Sequence, residues 1–420
     1  MPISFPSHLD PEVVLLKSTS TLTFSKLLKI MPCNTPPPPE LFDDTDDLIE
    51  DAPDDGFEIV YDEDITDMPE IDPEEVIDHA VVTFKGHQDP VFCCNFNNTG
   101  TLAVSGGQDD HAFVWDINTG ETKFFCAGHT DSVIAVQFNY DSSMVATAGM
   151  DGLIQVWNVE TGDKLWDYET SEITWMTWHT SENHLFAGTS DGTCWKWSVP
   201  DGETCGLFAA HGCSSTCAKL LDNGLKIAIG YFDGSIKIWD TNLYSVIATV
   251  TGKDAHTGDV TCMACSADDN LLVTGSVDGT AKLIKTSNCR VLHTWNCSVP
   301  EEEENEEGET VESVGFFNSH NLVATGTDCG NLRIFDISTY TQRAMVNIGS
   351  PIIKLICGAT SPLVYIATTP FIELYDGRAA QLQKRWSGHT NSILDFVLSK
   401  EQDVIMSASD DHTCKIFRNS

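Results

Sequence analysis

The segment from Gly128 to Asn158 recurs along this chain, and that repetition constrains the fold more than any other feature. A His stands 28 residues before an aromatic or aliphatic residue five times: His87 to Trp115, His129 to Trp157, His211 to Trp239, His256 to Ile284 and His389 to Phe417. Units that have lost the His end at Trp197, Phe335 and Tyr375. An Asp lies six residues before most end positions: Asp109, Asp151, Asp191, Asp233, Asp278 and Asp411. Successive ends are 42, 40, 42, 45, 51, 40 and 42 residues apart, which makes eight units.

Each unit reads as short strands. Ile134–Phe138, Met144–Thr147 and Leu153–Trp157 are β-branched or aromatic runs, and Asp-Gly turns such as Asp151-Gly152 and Asp233-Gly234 separate the later strands. Four strands in about 42 residues is the blade of a propeller. From about residue 80 to 420 the repeats resemble the WD-repeat family. The resemblance implies an all-β, WD40-type β-propeller with eight blades and circular strand closure. Ala80–Phe84 is an orphan strand before the first Gly-His, and the last unit stops at Phe417 one strand short. Pairing the two removes both open edges. Seven blades is the alternative, should the weak unit ending at Tyr375 merge with a neighbour.

Two segments fall outside the repeats. Residues 1–79 run from Ser/Thr-rich through Pro36–Pro39 to a strongly acidic stretch, and are expected to form a disordered acidic N-terminal tail. Met31 offers an alternative start, which would make residues 1–30 an extension. Residues 80–420 form a single propeller carrying an acidic loop insertion at 299–310, where seven of twelve residues are Glu.

The chain has 63 acidic and 23 basic residues, a formal net charge of −40. Glu40 to Asp78 holds 19 acids and no Lys or Arg, and residues 1–39 carry +1, so the remainder keeps −22 (−40 + 19 − 1). So acidic a body repels nucleic-acid backbones and anionic membranes and attracts basic partners. No apolar run approaches the roughly 18 residues that span a bilayer. The 15 cysteines show no zinc or redox pattern. Cys262-Met263-Ala264-Cys265 lacks a second pair and sits in strand-like alternation. Reduced thiols in the cytoplasm, with the nucleus as a second compartment, are expected.

A Ser or Thr, a His and an Asp in one unit invite a hydrolase reading. The sets are His87, Ser105, Asp109, Trp115 and His129, Thr147, Asp151, Trp157. The family resemblance implies instead that such tetrads are internal hydrogen-bond networks. They recur around the ring, whereas an active site is one asymmetric cluster. They also decay: Ile229 replaces the hydroxyl in the fourth unit, Ile284 the Trp in the fifth and Cys329 the Asp in the sixth. No G-x-S-x-G elbow, Walker motif or dinucleotide glycine pattern is present. No enzyme activity, cofactor or metal is expected.

Binding is what remains. The resemblance implies that residues just after the Gly-His, and the one before the turn Asp, face one end of the central channel. Asp89, Asp131 and Glu312 are read into the first slot, with Asn391 in the last unit. Glu172 and Asp259 fall one position later, and Asp328 and Asp410 occupy the pre-turn slot. Trp175 near Glu172 offers an aromatic platform for an apolar or cationic side chain. Convergent carboxylates fit a Lys/Arg-rich segment.

Several blocks are more distinctive, among them Ile173–His179, Ile227–Tyr231, Leu271–Asp278, Gly388–Lys400 and Ser409–Phe417. They resemble a branch of the WD-repeat family that includes a fungal ribosome-assembly chaperone. That resemblance implies a monomeric, non-enzymatic protein that escorts a basic ribosomal protein of the large subunit. The alternative is a scaffold in signalling or cell migration. A ubiquitin-ligase adaptor ranks third, because Trp115-Asp116 and Trp239-Asp240 lack the Arg two residues on.

Overall fold

The computed structural model describes residues 77–298, 308–358 and 360–419. The tail assigned to residues 1–79 therefore lies outside the described residues save for its last three, and the acidic insertion save for Gly308–Thr310.

The described residues form thirty-two strands, numbered here β1–β32 in chain order, in eight four-stranded antiparallel sheets. Each blade's innermost strand comes first: β2 (Val91–Phe96), β6 (Val133–Phe138), β10 (Ile173–Trp178), β14 (Ser215–Leu221), β18 (Val260–Cys265), β22 (Val311–Phe317), β26 (Lys354–Cys357) and β30 (Ile393–Leu398). The weak unit ending at Tyr375 is a complete blade, the seventh, so the count is eight. The eighth closes the ring. Its outer strand is β1 (Val82–Phe84), which pairs with β32 (Cys414–Arg418) in the register Val82 to Ile416 and Phe84 to Cys414.

Burial follows position in the blade. The second strand of the second blade, Met144–Gly149, is buried throughout, because blades cover both of its faces. The outermost strand, Lys164–Glu169, alternates exposed and half-buried residues, as a strand with one wet face must. The apolar core lies between blades rather than at the axis: Met144, Ala146 and Ile154 of the second pack against Ile173, Trp178 and Trp197 of the third.

Two local devices repeat. Asp-Gly turns need a left-handed residue, and at Gly152 (φ 77°) a Cβ would lie 2.3 Å from the Thr170 carbonyl oxygen. In seven blades the inner strand is also bulged at its second residue, as between Val91 and Cys93 or Val311 and Ser313. The bulge sets which side chain faces the axis.

Candidate docking face at the channel mouth

One repeated backbone bond builds this end of the ring. The N–H of the pre-turn residue donates to the carbonyl of the residue just before the inner strand: Gln108 to Pro90 at 2.8 Å, Ser190 to Glu172 at 2.9 Å, Val277 to Asp259 at 3.0 Å and Asp410 to Ser392 at 3.0 Å. The two loop slots of every such blade therefore lie side by side. Beneath them the inner strands line a cavity of about 750 Å³. Phe92, Ile134 and Leu394, packed with Met150, make an apolar cluster on the side of blades 8, 1 and 2. Glu312 lines the cavity from blade 6, and Lys354 and Asp395 meet on its wall at 2.6 Å.

The acidic residues divide into those turned to solvent and those used internally. Asp89 and Asp131 are exposed on neighbouring blades, and Asp131 accepts the Ser132 N–H at 2.7 Å. Asp110 stands beside them; burial and then the charge of Asp131 push its carboxyl up. Glu172 is half-buried before its strand. Asp259 is half-buried too, and its carboxyl is pushed up to about 6 by burial and by Glu312, against the Thr216 hydroxyl beside it. Asp328 accepts the Thr310 N–H at 2.9 Å, and Asp410 accepts the Asn391 side-chain amide at 3.3 Å.

Three expectations need correction. Trp175 is no platform. It is 2% exposed, its indole N–H donates to Ser215 Oγ at 3.2 Å, and it packs with Phe186, Phe208 and Trp239 between blades. Glu312 does not share the slot of Asp89 and Asp131. It is the bulged residue of β22, the position of Phe92 and Ile134, and is buried at the channel wall. The true loop slot of that blade holds Glu309, which accepts the Asn331 amide at 2.9 Å and pairs with Arg333 at 3.8 Å. Last, the second tetrad is incomplete: the Trp157 indole N–H is buried without a hydrogen-bond partner among the described residues.

The first tetrad is complete. His87 Nδ1 meets Asp109 at 3.0 Å, its Nε2 meets Ser105 Oγ at 2.9 Å, and the Trp115 indole donates to the same oxygen at 3.2 Å. His129 meets Asp151 at 3.3 Å and Thr147 at 2.9 Å. The same His–Asp–hydroxyl chain recurs at His256–Asp278–Thr274 and His389–Asp411–Ser407. These four rings have no exposed side-chain surface. Despite burial, hydrogen bonds from the His hold Asp278 and Asp411 well below the usual carboxylate range, while burial lowers His256. Each pair has both ring nitrogens occupied, and at His256 a ring kept neutral by burial is steadied by a charged carboxylate.

Sequence reasoning missed Asp110, Glu309 and Asp395. Asp110 directly follows a turn Asp, and Asp395 breaks an otherwise apolar strand, so both left a signal. It also missed a cluster on blade 4, where ligand atoms of His211, Cys213 and Asp233 lie within 4.8 Å of one another. Spacings of two and 22 residues match no common metal motif.

Comparison with known proteins agrees with this geometry. The WD domain, G-beta repeat model matches residues 79–116, 120–158, 202–240, 246–285 and 380–418. The chain belongs to the WD-repeat family of β-propellers. It is similar to the angio-associated migratory cell protein of Homo sapiens, 38% identical over 348 residues that span 81% of this chain and 80% of that one. Among solved structures it resembles Chaetomium thermophilum Sqt1 bound to the N-terminus of ribosomal protein L10. The TM-score is 0.73 at 21% identity, covering 81% of this chain and all of that one. Saccharomyces cerevisiae Sqt1 superposes at 0.75 with 20% identity, over 81% and 99% of the two chains. Among the described residues no helix is long and apolar enough to cross a membrane.

Proposed function

We propose that this propeller is a non-enzymatic, monomeric chaperone whose channel mouth receives a basic segment of a large-subunit ribosomal protein during ribosome assembly. The observation that carries the reading is the pairing of exposed Asp89 and Asp131, with half-buried Asp110 beside them, with the apolar cluster Phe92, Ile134 and Leu394 at one mouth. Carboxylates steer a Lys/Arg-rich chain and the cluster takes its apolar side chains. The likeness to Sqt1, whose partner is the N-terminus of a ribosomal protein, supports it. Cytoplasmic work, with passage through the nucleus, follows from such a client. The test is binding of an L10 N-terminal peptide to the full chain and to Asp89→Lys/Asp131→Lys. At least tenfold weaker capture is expected, and equal capture at moderate salt would overturn the reading.

The second reading, a scaffold in signalling or cell migration, is favoured by the 38% identity to the angio-associated migratory cell protein. Partners lost on removing residues 1–79, yet retained by the charge-reversed mouth, would select it.

A further inference from the structure

Blade 4 departs from its neighbours at this same end of the ring. Its hydroxyl position is Ile229, which is buried and offers no acceptor. In blades 1, 2, 5 and 8 the His turns Nδ1 to the turn Asp and Nε2 inward to a hydroxyl. His211 instead turns Nε2 outward, 3.0 Å from Asp233 Oδ2 and 2.8 Å from Ser235 Oγ. The Tyr231 ring packs against the imidazole, with centroids 4.1 Å apart. Gly212, at φ 91°, then turns the chain so that Cys213 takes the slot filled by Asp89 and Asp131 in the first blades. One imidazole nitrogen, one thiol sulfur and one carboxylate oxygen end within 4.8 Å of one another.

We propose that His211, Cys213 and Asp233 form a binding site for a divalent cation of the zinc class. A tetrahedral ion held at about 2.0–2.3 Å from each donor sets donor separations of roughly 3.3–3.8 Å, so donors already within 4.8 Å of one another need only a small closure and the His–Asp pair, at 3.0 Å, barely moves. Mixed nitrogen, sulfur and oxygen donors suit a borderline ion, whereas Mg²⁺ and Ca²⁺ want oxygen alone. On binding, the Cys213 S–H and His211 Nε2–H bonds give way to bonds to the metal: the thiol proton leaves to water, the imidazole becomes the neutral tautomer with its one proton on Nδ1, and no oxidation state changes. Asp233 is already ionised, since hydrogen bonds from Ser235 and His211 outweigh its burial. Its carboxylate is half exposed, so the fourth position opens to solvent.

The test is a Co²⁺ titration of the reduced, chelator-treated full chain, read by thiolate-to-cobalt charge-transfer absorption and followed by Zn²⁺ displacement. This readout ignores oxygen-only binding by the acidic tail. One equivalent is expected, with the band abolished in Cys213→Ser and Co²⁺ affinity at least tenfold lower in Asp233→Asn. Affinity should also fall about tenfold per pH unit while the thiol is protonated. Cys213→Asp keeps a ligand, so it should hold Zn²⁺ while losing the band, and Cys205→Ser should leave the band intact. No saturable band in the wild-type chain, or a band that survives in folded Cys213→Ser, overturns the proposal.

Discussion

The ring of Phe84 stacks on the indole of Trp115 with centroids 4.7 Å apart and planes 3° from parallel. Phe84 belongs to the closing strand β1, and Trp115 ends the first tetrad, so ring closure and tetrad share one contact. Both side chains are at most 2% exposed. Phe84→Ala should therefore cost about 3–5 kcal/mol, the range for emptying a buried aromatic site. Denaturant unfolding measures it, and a loss under 1 kcal/mol would mean that β1 does not hold the ring shut.

The two tetrads differ in one hydrogen bond, which gives a sharper comparison. The Trp115 indole donates to Ser105, whereas that of Trp157 has no partner among the described residues. Trp115→Phe should cost more than Trp157→Phe by about 1 kcal/mol, the net worth of one buried bond. Equal losses would show that the Ser105 contact contributes nothing to stability.

Blade number and the His–Asp–hydroxyl chains are legible because each repeats at fixed spacing, and ring closure because the orphan strand Ala80–Phe84 matches a last unit one strand short. The channel mouth was read less well, and the residues say why. Blade 6 has lost its His, and an acidic insertion precedes β22, so there was no anchor from which to count to Glu312. A bulge at Thr174, the second residue of β10, then lies between Ile173 and Trp175 and places the indole between blades rather than at the mouth. Periodicity finds strands, but a bulge decides which face a neighbour takes. Asp89 and Asp131 sit before the bulge, where the count from the Gly-His holds, and both are exposed.

Asp259 should make stability depend on pH in the sense opposite to the tetrad aspartates. Its folded-state carboxyl is raised to about 6, so between the ordinary Asp value and that point the folded state holds more protons than the unfolded. Its contribution is complete in acid and is lost as pH rises through about 6. Asp259→Asn should thus stabilise the chain by about 2 kcal/mol at pH 7.5 and change little near pH 4. Asp278 and Asp411, held low by their His partners, lose their contribution as pH falls below the ordinary carboxylate range. Unfolding curves of both forms from pH 2 to 8 separate the two trends, and equal stability at pH 7.5 would refute the assignment.

Lys354 is the place where stability and capture should move apart. Its ammonium lies 2.6 Å from Asp395 Oδ1, while Oδ2 accepts the Cys94 N–H at 3.0 Å. Burial opposes the charge on Lys354, but Asp395 outweighs it and keeps the amine protonated. Lys354→Met keeps the aliphatic stem and leaves Asp395 without its cation. The half-exposed pair makes the expected loss of stability modest, about 1–2 kcal/mol. The same change adds one uncompensated negative charge to the channel wall beneath Asp89 and Asp131. A labelled Lys/Arg-rich peptide should then bind several-fold tighter at low salt. The gain should vanish near 1 M salt, where the Debye length is about 3 Å. Anisotropy titrations at two ionic strengths read both effects. Binding that ignores Lys354 at low salt would place the peptide away from the channel, whatever the fate of Asp89 and Asp131.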